Sequence, residues 1–493
     1  MKKLRILATT DIHGCLLSHS YLDNKETGSS LSRINTAIQH YRNEELILID
    51  NGDVLQGSPL VAYNNRYQDF SVVAKAMNAM NYNYYTLGNH DFNYGTDVLT
   101  RFIYENKAEG LTQNILIHNQ SIGSSRIYTS KEGHTLAFIG AVTDYLPNWE
   151  QPKNLENVTI FDVKETIQKQ VELLRNEVDT IVVCYHGGFE RDLETGELQE
   201  TTKENVGYEL TTIPGIDILI TGHQHRSFIK SINNVLCIQC TFNAQEFMLL
   251  ELDNTGWSAR LEQTRDYDID HGFEALFQQE ESLVQEWLDT EIGHGPDMSI
   301  GNVFNAQLTK SLFTSFVNQV AMNHFQSDFA FSSLFNQSPG LKQQITMRDL
   351  IASYPYPNTF VLVEVTKNLL LEYLEKNATY FELKDGVVTI NPEYVTPKLE
   401  MYNYDMGDGL SYQIDLTKPH GQRITLLEIS DKKVYTMVIN NYRASGGGKF
   451  FMIKNAKKIK EDPTEVIDLL YDYILNNSPL HVNQTNNIIL KTK

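Results

Sequence analysis

Five short segments in the first half of the chain carry side chains that bind divalent metals when brought together. They are Thr10-Asp11-Ile12-His13-Gly14, Gly52-Asp53, Gly88-Asn89-His90-Asp91, Tyr185-His186-Gly187-Gly188 and Gly222-His223-Gln224-His225. From them come seven candidate ligands: Asp11, His13, Asp53, Asn89, His186, His223 and His225. Imidazoles with two carboxylates and one amide oxygen suit Mn, Zn, Fe or Co better than Ca or Mg. Asp11 and His13 lie two apart, as do His223 and His225, and on an extended segment that spacing puts both side chains of a pair on one side. Two cations a few ångströms apart need an anion between them, and Asp53 is the candidate bridge. A pair of ions held in this way can clamp a phosphate ester and activate water against it. Each segment alone is more often a turn or a solvated loop. The five together, each after an apolar run and each with a glycine, are hard to generate by packing.

Holding such a set requires rigid elements. Leu4 to Thr9, Leu46 to Asp50, Tyr84 to Leu87, Thr135 to Val142, Thr180 to Cys184 and Ile216 to Thr221 read as strands. Between them Val72, Ala76, Met77 and Met80, and Ile167, Val171 and Leu174, keep helical spacing. Strands alternating with helices predict an α/β architecture, in which ligands collect where loops leave the strand ends. All five segments fall there.

At 493 residues the chain exceeds one ordinary core and predicts two domains. Phe273, Leu276, Phe277, Leu283, Val284, Trp287 and Leu288 recur near helical spacing from Gly272 to about Glu291, and the breakers Gly293, Gly295 and Pro296 follow. The reading is a metal-bearing domain over residues 1–265, a connecting helix and linker over 266–300, and a second domain over 301–493. In the second domain Leu308, Leu312, Phe313, Phe316, Val317 and Val320 predict an amphipathic helix, followed by strand signals, an Asp408-Gly409 turn and a glycine run at Gly446 to Gly448.

A net charge of -21 argues against a general nucleic-acid surface or an acidic membrane as partner. It leaves a small phosphate ester open, because a metal cluster outweighs the global field at short range. No apolar run reaches the roughly 18 residues of a membrane span. Lys2, Lys3 and Arg5 imitate the start of a signal peptide, but only Ile6, Leu7 and Ala8 follow as an apolar stretch, so the chain is expected to be cytoplasmic, or secreted if a leader has been removed from it. The four cysteines form no disulfide framework, and Cys237-Ile238-Gln239-Cys240 reads as a buried strand.

In order and chemistry the five segments resemble the calcineurin-like metallophosphoesterases. The resemblance implies a four-layer αββα sandwich binding two divalent metal ions. Asp11, His13, Asp53 and His225 would hold one ion, and Asp53, Asn89, His186 and His223 the other. It also implies that metal-activated water attacks phosphorus while His90, bound to neither ion, stabilises charge and protonates the leaving oxygen. The 5′-nucleotidase branch orients that histidine with an aspartate three residues later, where this chain has Asn93. An amide oxygen still accepts the ring N–H but adds no anionic stabilisation. Asp91 is expected to be a structural acid.

Tyr354-Pro355-Tyr356-Pro357-Asn358-Thr359 and Asn441-Tyr442-Arg443-Ala444-Ser445-Gly446-Gly447-Gly448 resemble the two places where an α+β 5′-nucleotidase C-terminal domain grips a nucleobase. By that match Tyr356 and Tyr442 are the stacking rings, with Asn358, Gly446 and Gly447 beside the substrate. Typical 5′-nucleotidases have an Asn-Gly-Gly-Ile-Arg loop where this chain has Phe331-Ser332-Ser333-Leu334-Phe335. Tyr402-Asn403-Tyr404-Asp405 and Asn89-His90-Asp91-Phe92-Asn93-Tyr94-Gly95 look instead like the 2′,3′-cyclic-nucleotide 2′-phosphodiesterase/3′-nucleotidase relatives. The resemblance therefore implies a hydrolase of small nucleotides of that kind. A 5′-nucleotidase is the alternative, and a catalytically weak nucleotide-binding or sensing protein is the alternative from another class.

Overall fold

In the computed structural model, which describes all residues except 1–3, 23, 43–44, 149, 200–202, 357, 397–398 and 484–485, the strand Leu4–Thr9 lies parallel to Glu45–Asp50, with Ile6 opposite Ile47 and Ala8 opposite Ile49. Lys2, Lys3 and Pro357, singled out above, fall outside the described residues. The first sheet runs in the order Gly256–Gln263, Glu246–Asp253, Leu4–Thr9, Glu45–Asp50, Tyr84–Tyr85, Glu109–Gly110. The second runs Phe228–Ile232, Val235–Gln239, Ile218–Thr221, Thr180–His186, Thr135–Val142, Arg126–Thr129.

The alternation of side chains along these strands builds the layers. Ile6, Ala8, Ile47 and Ile49 from the first sheet share one core with Leu136, Phe138, Val182, Cys184, Ile218 and Ile220 from the second. The residues between them in sequence face the other way. Ala137, Ile139, Ile181 and Val183 pack on Val163, Ile167 and Val171 of the helix Val163–Leu174. On the first sheet Leu7 and Leu48 are buried, as are Ile34 and Ile38 of the helix Leu31–Tyr41 and Val73 and Met77 of Val72–Met80. The order is helix, sheet, sheet, helix, the expected αββα layering. Cys237 and Cys240 are buried at the strand Val235–Gln239 and just past its end, where burial pushes both thiols up.

The chain divides into two units, Met1–Val284 and Gln285–Lys493. The division falls inside the helix Gln278–Leu288, which a break separates from a shorter helix, His271–Ala275. The apolar spacing predicts a single helix here, and two are present. The second unit holds a five-stranded sheet in the order Asp405–Asp408, Phe329–Ser333, Tyr435–Asn440, Thr359–Val365, Lys457–Glu465. Its helix begins later than the apolar spacing predicts. Val303–Thr309 ends at Lys310, whose φ of 61° breaks the helical path, and Ser311 caps a new helix, Leu312–Phe325. The Lys310 ammonium turns inward to the Asp408 carboxylate and to Asn487. Among the described residues no helix is long and apolar enough to cross a membrane.

Phe138 is fully buried between the two sheets. Phe138→Ala should destabilise the first unit by about 3–5 kcal/mol, measured as a lower urea midpoint for its unfolding transition. A loss under about 1 kcal/mol would show that this inter-sheet layer does not carry the stability assigned to it.

Candidate metal centre

Leu4–Thr9, Glu45–Asp50 and Tyr84–Tyr85 are mutually parallel, and so are Thr135–Val142, Thr180–His186 and Ile218–Thr221. Their carboxyl ends carry all seven predicted ligands, six in the loops that follow and His186 as the last residue of its strand. Backbone geometry there differs from the extended segments expected for the two Asp-x-His and His-x-His pairs. Asp11, His13, Asp53, His223 and His225 have φ values of 53°, 49°, 60°, 68° and 55°, in the left-handed region that non-glycine residues avoid. Neighbouring loops impose this conformation. Asp11 N donates to Gly52 O at 2.9 Å, His13 N to Asp53 O at 2.9 Å, and Asn243 N to Asp11 O at 2.8 Å. The Asp11 carboxylate also accepts from His223 N at 3.0 Å and from the Thr10 hydroxyl at 2.7 Å. Gly88 is needed for close approach, since a Cβ there would strike the Asp53 carboxylate and backbone nitrogen.

Two groups of donor atoms result, Asp11 with His13 and His225, and Asp53 with His186 and His223, each group within 4.8 Å. Nε2 of His13 and Nε2 of His225 face each other at 3.2 Å, and His225 Nε2 lies 3.4 Å from Asp11 Oδ1. His186 Nε2 is 3.2 Å from Asp53 Oδ2, and among the described residues neither of these buried atoms meets hydrogen-bond geometry with any partner. His223 Nδ1 is 2.7 Å from Asn89 Oδ1. Lone pairs converging in this way fit cations. The far ring nitrogens are tied down, His13 Nδ1 to Gln56 O at 3.2 Å, His186 Nδ1 to Asn51 O at 2.6 Å and His223 Nε2 to Glu204 Oε1 at 2.9 Å. Such outer bonds fix ring orientation in metal sites.

Electrostatics fit the donor set at His13 and Asp53, whereas at His186 the Asp53 and Asp11 carboxylates overcome burial and raise the ring to about 10, a proton that a bound cation would displace. Burial pushes the His13 ring down to about 4, against the pull of Asp53, so His13 stands as a neutral ring with a lone pair to give. Burial would raise the Asp53 carboxyl, but His186, His90 and His13 around it hold it well below the usual carboxylate range. Asp91 has the opposite fate. Burial and then the Asp53 charge raise it to about 6, although it accepts N–H bonds from Gly88, Val54 and Leu55. Asp91 thus folds the 53–55 turn onto the 88–92 turn.

His90 is placed beside this cluster, its ring 5.5 Å from that of His13 and its backbone N–H donating to Asp53 Oδ1 at 2.8 Å. Its Nδ1 meets Asn93 Oδ1 at 2.8 Å. Two acids near the centre belong to no motif. Glu204 holds His223, and Glu150 accepts from Asn93 Nδ2 at 2.5 Å. Neither has a neighbour in sequence that signals its role, since each reaches the site from a loop.

In the second unit Tyr356 and Tyr442 are both partly exposed, at 44% and 38%. Phe335 backs Tyr356 with ring centroids 5.0 Å apart, and Tyr402 stands edge-on to Tyr442 at 6.2 Å. Asn358 lies in the turn beside Tyr356, donating from its backbone to Tyr356 O at 2.8 Å and accepting from Val466 N at 2.8 Å. Gly446 has a φ of 96°, and a Cβ on Gly447 would collide with the Tyr442 ring. The glycine run lets the backbone lie against that ring. Phe331-Ser332-Ser333 belongs to the buried strand Phe329–Ser333, with no cationic side chain. The nearby Arg443 is buried and committed to Asp405, at 2.8 Å from Nε.

Residues 4–227 match the family model for calcineurin-like phosphoesterases, and residues 291–455 match that for the 5′-nucleotidase C-terminal domain. A Staphylococcus aureus structure assigned as a 5′-nucleotidase superposes with a TM-score of 0.87 at 32% identity, over 99% of this chain and 100% of that one. A Bacillus subtilis protein named trifunctional nucleotide phosphoesterase is 25% identical over 98% of this chain, which spans 38% of its length. A Salmonella typhimurium protein named 2′,3′-cyclic-nucleotide 2′-phosphodiesterase/3′-nucleotidase is 27% identical over 90% of this chain and 81% of its own.

If the convergent donors hold metal, chelation should abolish phosphoester hydrolysis and added Mn should restore it. Asp53→Ala and His223→Ala should each lose bound metal in elemental analysis. Gly88→Ala, which displaces Asp53 without removing a donor, should lose it too. Wild-type metal content in all three would reject the site.

Proposed function

Because the chain belongs to the 5′-nucleotidase family, in which a calcineurin-like phosphoesterase domain precedes a 5′-nucleotidase C-terminal domain, we propose that it hydrolyses 2′,3′-cyclic nucleotides and 3′-nucleotides. The observation that carries the phosphoesterase part is the convergence of Asp11, His13 and His225, and of Asp53, His186 and His223, into two groups of donors. Asp53 would lie between the two ions, with Asn89 completing the second set. Once bound, the metals would polarise the phosphoryl oxygens and supply an activated water.

The protein's own groups do the remaining work. His90 holds Nδ1 against Asn93 Oδ1, and this presents Nε2 to charge developing on the phosphate and to the leaving oxygen. Asp91 keeps the two loops that carry Asp53 and His90 in register. In the second unit Tyr356 and Tyr442 would stack on the base, a contact worth roughly 1–3 kcal/mol per ring and tolerant of base identity. Asn358, Gly446 and Gly447 shape the backbone around those rings.

The cyclic-nucleotide reading is supported by relatives of that name that align over most of both chains, from Salmonella typhimurium and its counterparts. The Staphylococcus aureus likeness favours a second reading, a 5′-nucleotidase. Assay of purified, Mn-loaded protein against 2′,3′-cyclic AMP, 3′-AMP and 5′-AMP separates them. A clear preference for 5′-AMP would move the chain to the second reading.

Two further outcomes are expected. His90→Ala should lower turnover by roughly 10²–10⁴-fold with metal content unchanged, and loss of metal instead would make His90 a ligand. Tyr356→Ala with Tyr442→Ala should raise KM for 2′,3′-cyclic AMP while leaving hydrolysis of bis(p-nitrophenyl) phosphate, which has no base, nearly unchanged. Equal losses on both substrates would remove the base-stacking role.

A further inference from the structure

Asn93 faces His90 with its oxygen, and an amide alone has no reason to choose that face. Turned over, it would offer its NH₂ group to His90 Nδ1 and force that nitrogen to be an acceptor. The choice decides which ring nitrogen carries the proton, and so which one faces the reaction. Behind Asn93 stands Glu150, whose carboxylate can only accept. Its Oε2 takes Asn93 Nδ2 at 2.5 Å, while Oε1 takes Gln151 N at 2.7 Å and Asn154 Nδ2 at 2.9 Å. Asn154 Nδ2 also donates to Asn93 O at 2.8 Å, so the backbone of Asn93 is held to the same cluster.

We propose that Glu150 is a positioning residue for the reaction: by accepting from Asn93 it locks the amide with Oδ1 toward His90, keeping the proton on Nδ1 and Nε2 toward the substrate. The inference rests on the acid–base role proposed above for His90. It makes Asn93 and Glu150 one unit, an amide backed by a carboxylate. An aspartate in place of Asn93 would not be interchangeable with it while Glu150 remains.

Directional bonding gives an unusual expectation. In Asn93→Asp two carboxylates meet at hydrogen-bond distance and repel, so the variant that installs an aspartate beside His90 should be worse than wild type. In Glu150→Gln the side-chain oxygen is drawn to the Gln151 and Asn154 donors. Its NH₂ group then faces Asn93 and turns that amide over, leaving His90 Nδ1 opposite a donor. In the double variant the introduced glutamine donates to the introduced aspartate, and that aspartate accepts from His90 Nδ1, so every bond regains its direction.

The test is a double-mutant cycle on the Mn-loaded full chain with 2′,3′-cyclic AMP, repeated in the His90→Ala background, with metal content measured throughout. Each single variant should lose about 10²-fold in kcat at unchanged KM and metal content, below the roughly 10⁴-fold seen when a catalytic histidine is held in the wrong tautomer. The double variant should recover at least about tenfold over the poorer single, a coupling expected only between residues in one network. In the His90→Ala background none of the changes should cost further activity. A double variant no better than the poorer single, or single-variant losses that persist without His90, would overturn the role of Glu150 while leaving that of His90 intact. A fully active His90→Ala would overturn both.

Discussion

Seven metal-seeking side chains must converge at the end of a sheet sandwich without collapsing onto one another, and most of the first unit answers to that requirement. A carboxylate such as Asp53, buried at 1% exposure, is costly unless cations or protonated rings surround it. The parallel strands deliver the loops to one edge. The loops then turn into a sparsely populated backbone region: five of the seven candidate ligands sit at positive φ, each at a cost of order 1–3 kcal/mol. Backbone bonds between loops, such as Asp11 N to Gly52 O and His13 N to Asp53 O, offset that strain. The core between the sheets is therefore what permits the site, because only a rigid frame holds so many unfavourable torsions at once.

Asp91 shows the same constraint from the other side. It is as buried as Asp53 but lacks the surrounding imidazoles, and its carboxyl is pushed up where that of Asp53 is held down. Two acids 38 residues apart, within bonding reach of the same turn, take opposite charge preferences from what faces them. This difference separates a group suited to a cation from one suited to tying loops together.

Much of this was legible in the sequence because metal ligation is chemically narrow. Aspartate, asparagine and histidine after apolar runs leave few other interpretations, and the strands Leu4–Thr9 and Thr135–Val142 have the bounds their residues predict. What was not legible is set by geometry over long separations. The left-handed backbone at Asp11 and His13 contradicts the extended arrangement that their spacing suggests, since Gly52 and Asp53 from another strand end impose it. Lys310 breaks an apparently continuous helix because its ammonium has buried partners at Asp408 and Asn487, 98 and 177 residues away. Glu150 and Glu204 lie in loops with no periodicity, so only the folded chain reveals what they touch.

The aromatic face of the second unit depends on a buried charge pair in the same indirect way. Arg443 follows Tyr442 directly, and its guanidinium bonds Asp405 from Nε at 2.8 Å and Nη2 at 3.1 Å, with Gly447 O at 2.7 Å from Nη1. Burial disfavours the charged guanidinium, but Asp405 and the ring hydroxyls nearby keep it protonated. A pair of this kind adds little net stability but fixes geometry, because either partner left alone would be a buried charge. Here it pins the turn on which Tyr442 is mounted and draws the glycine run across the ring. The arginine beside the Tyr442 ring is thus committed to orientation. Phe331-Ser332-Ser333 carries no cationic side chain either, so on the function proposed above the phosphate would be left to the metal-bearing unit.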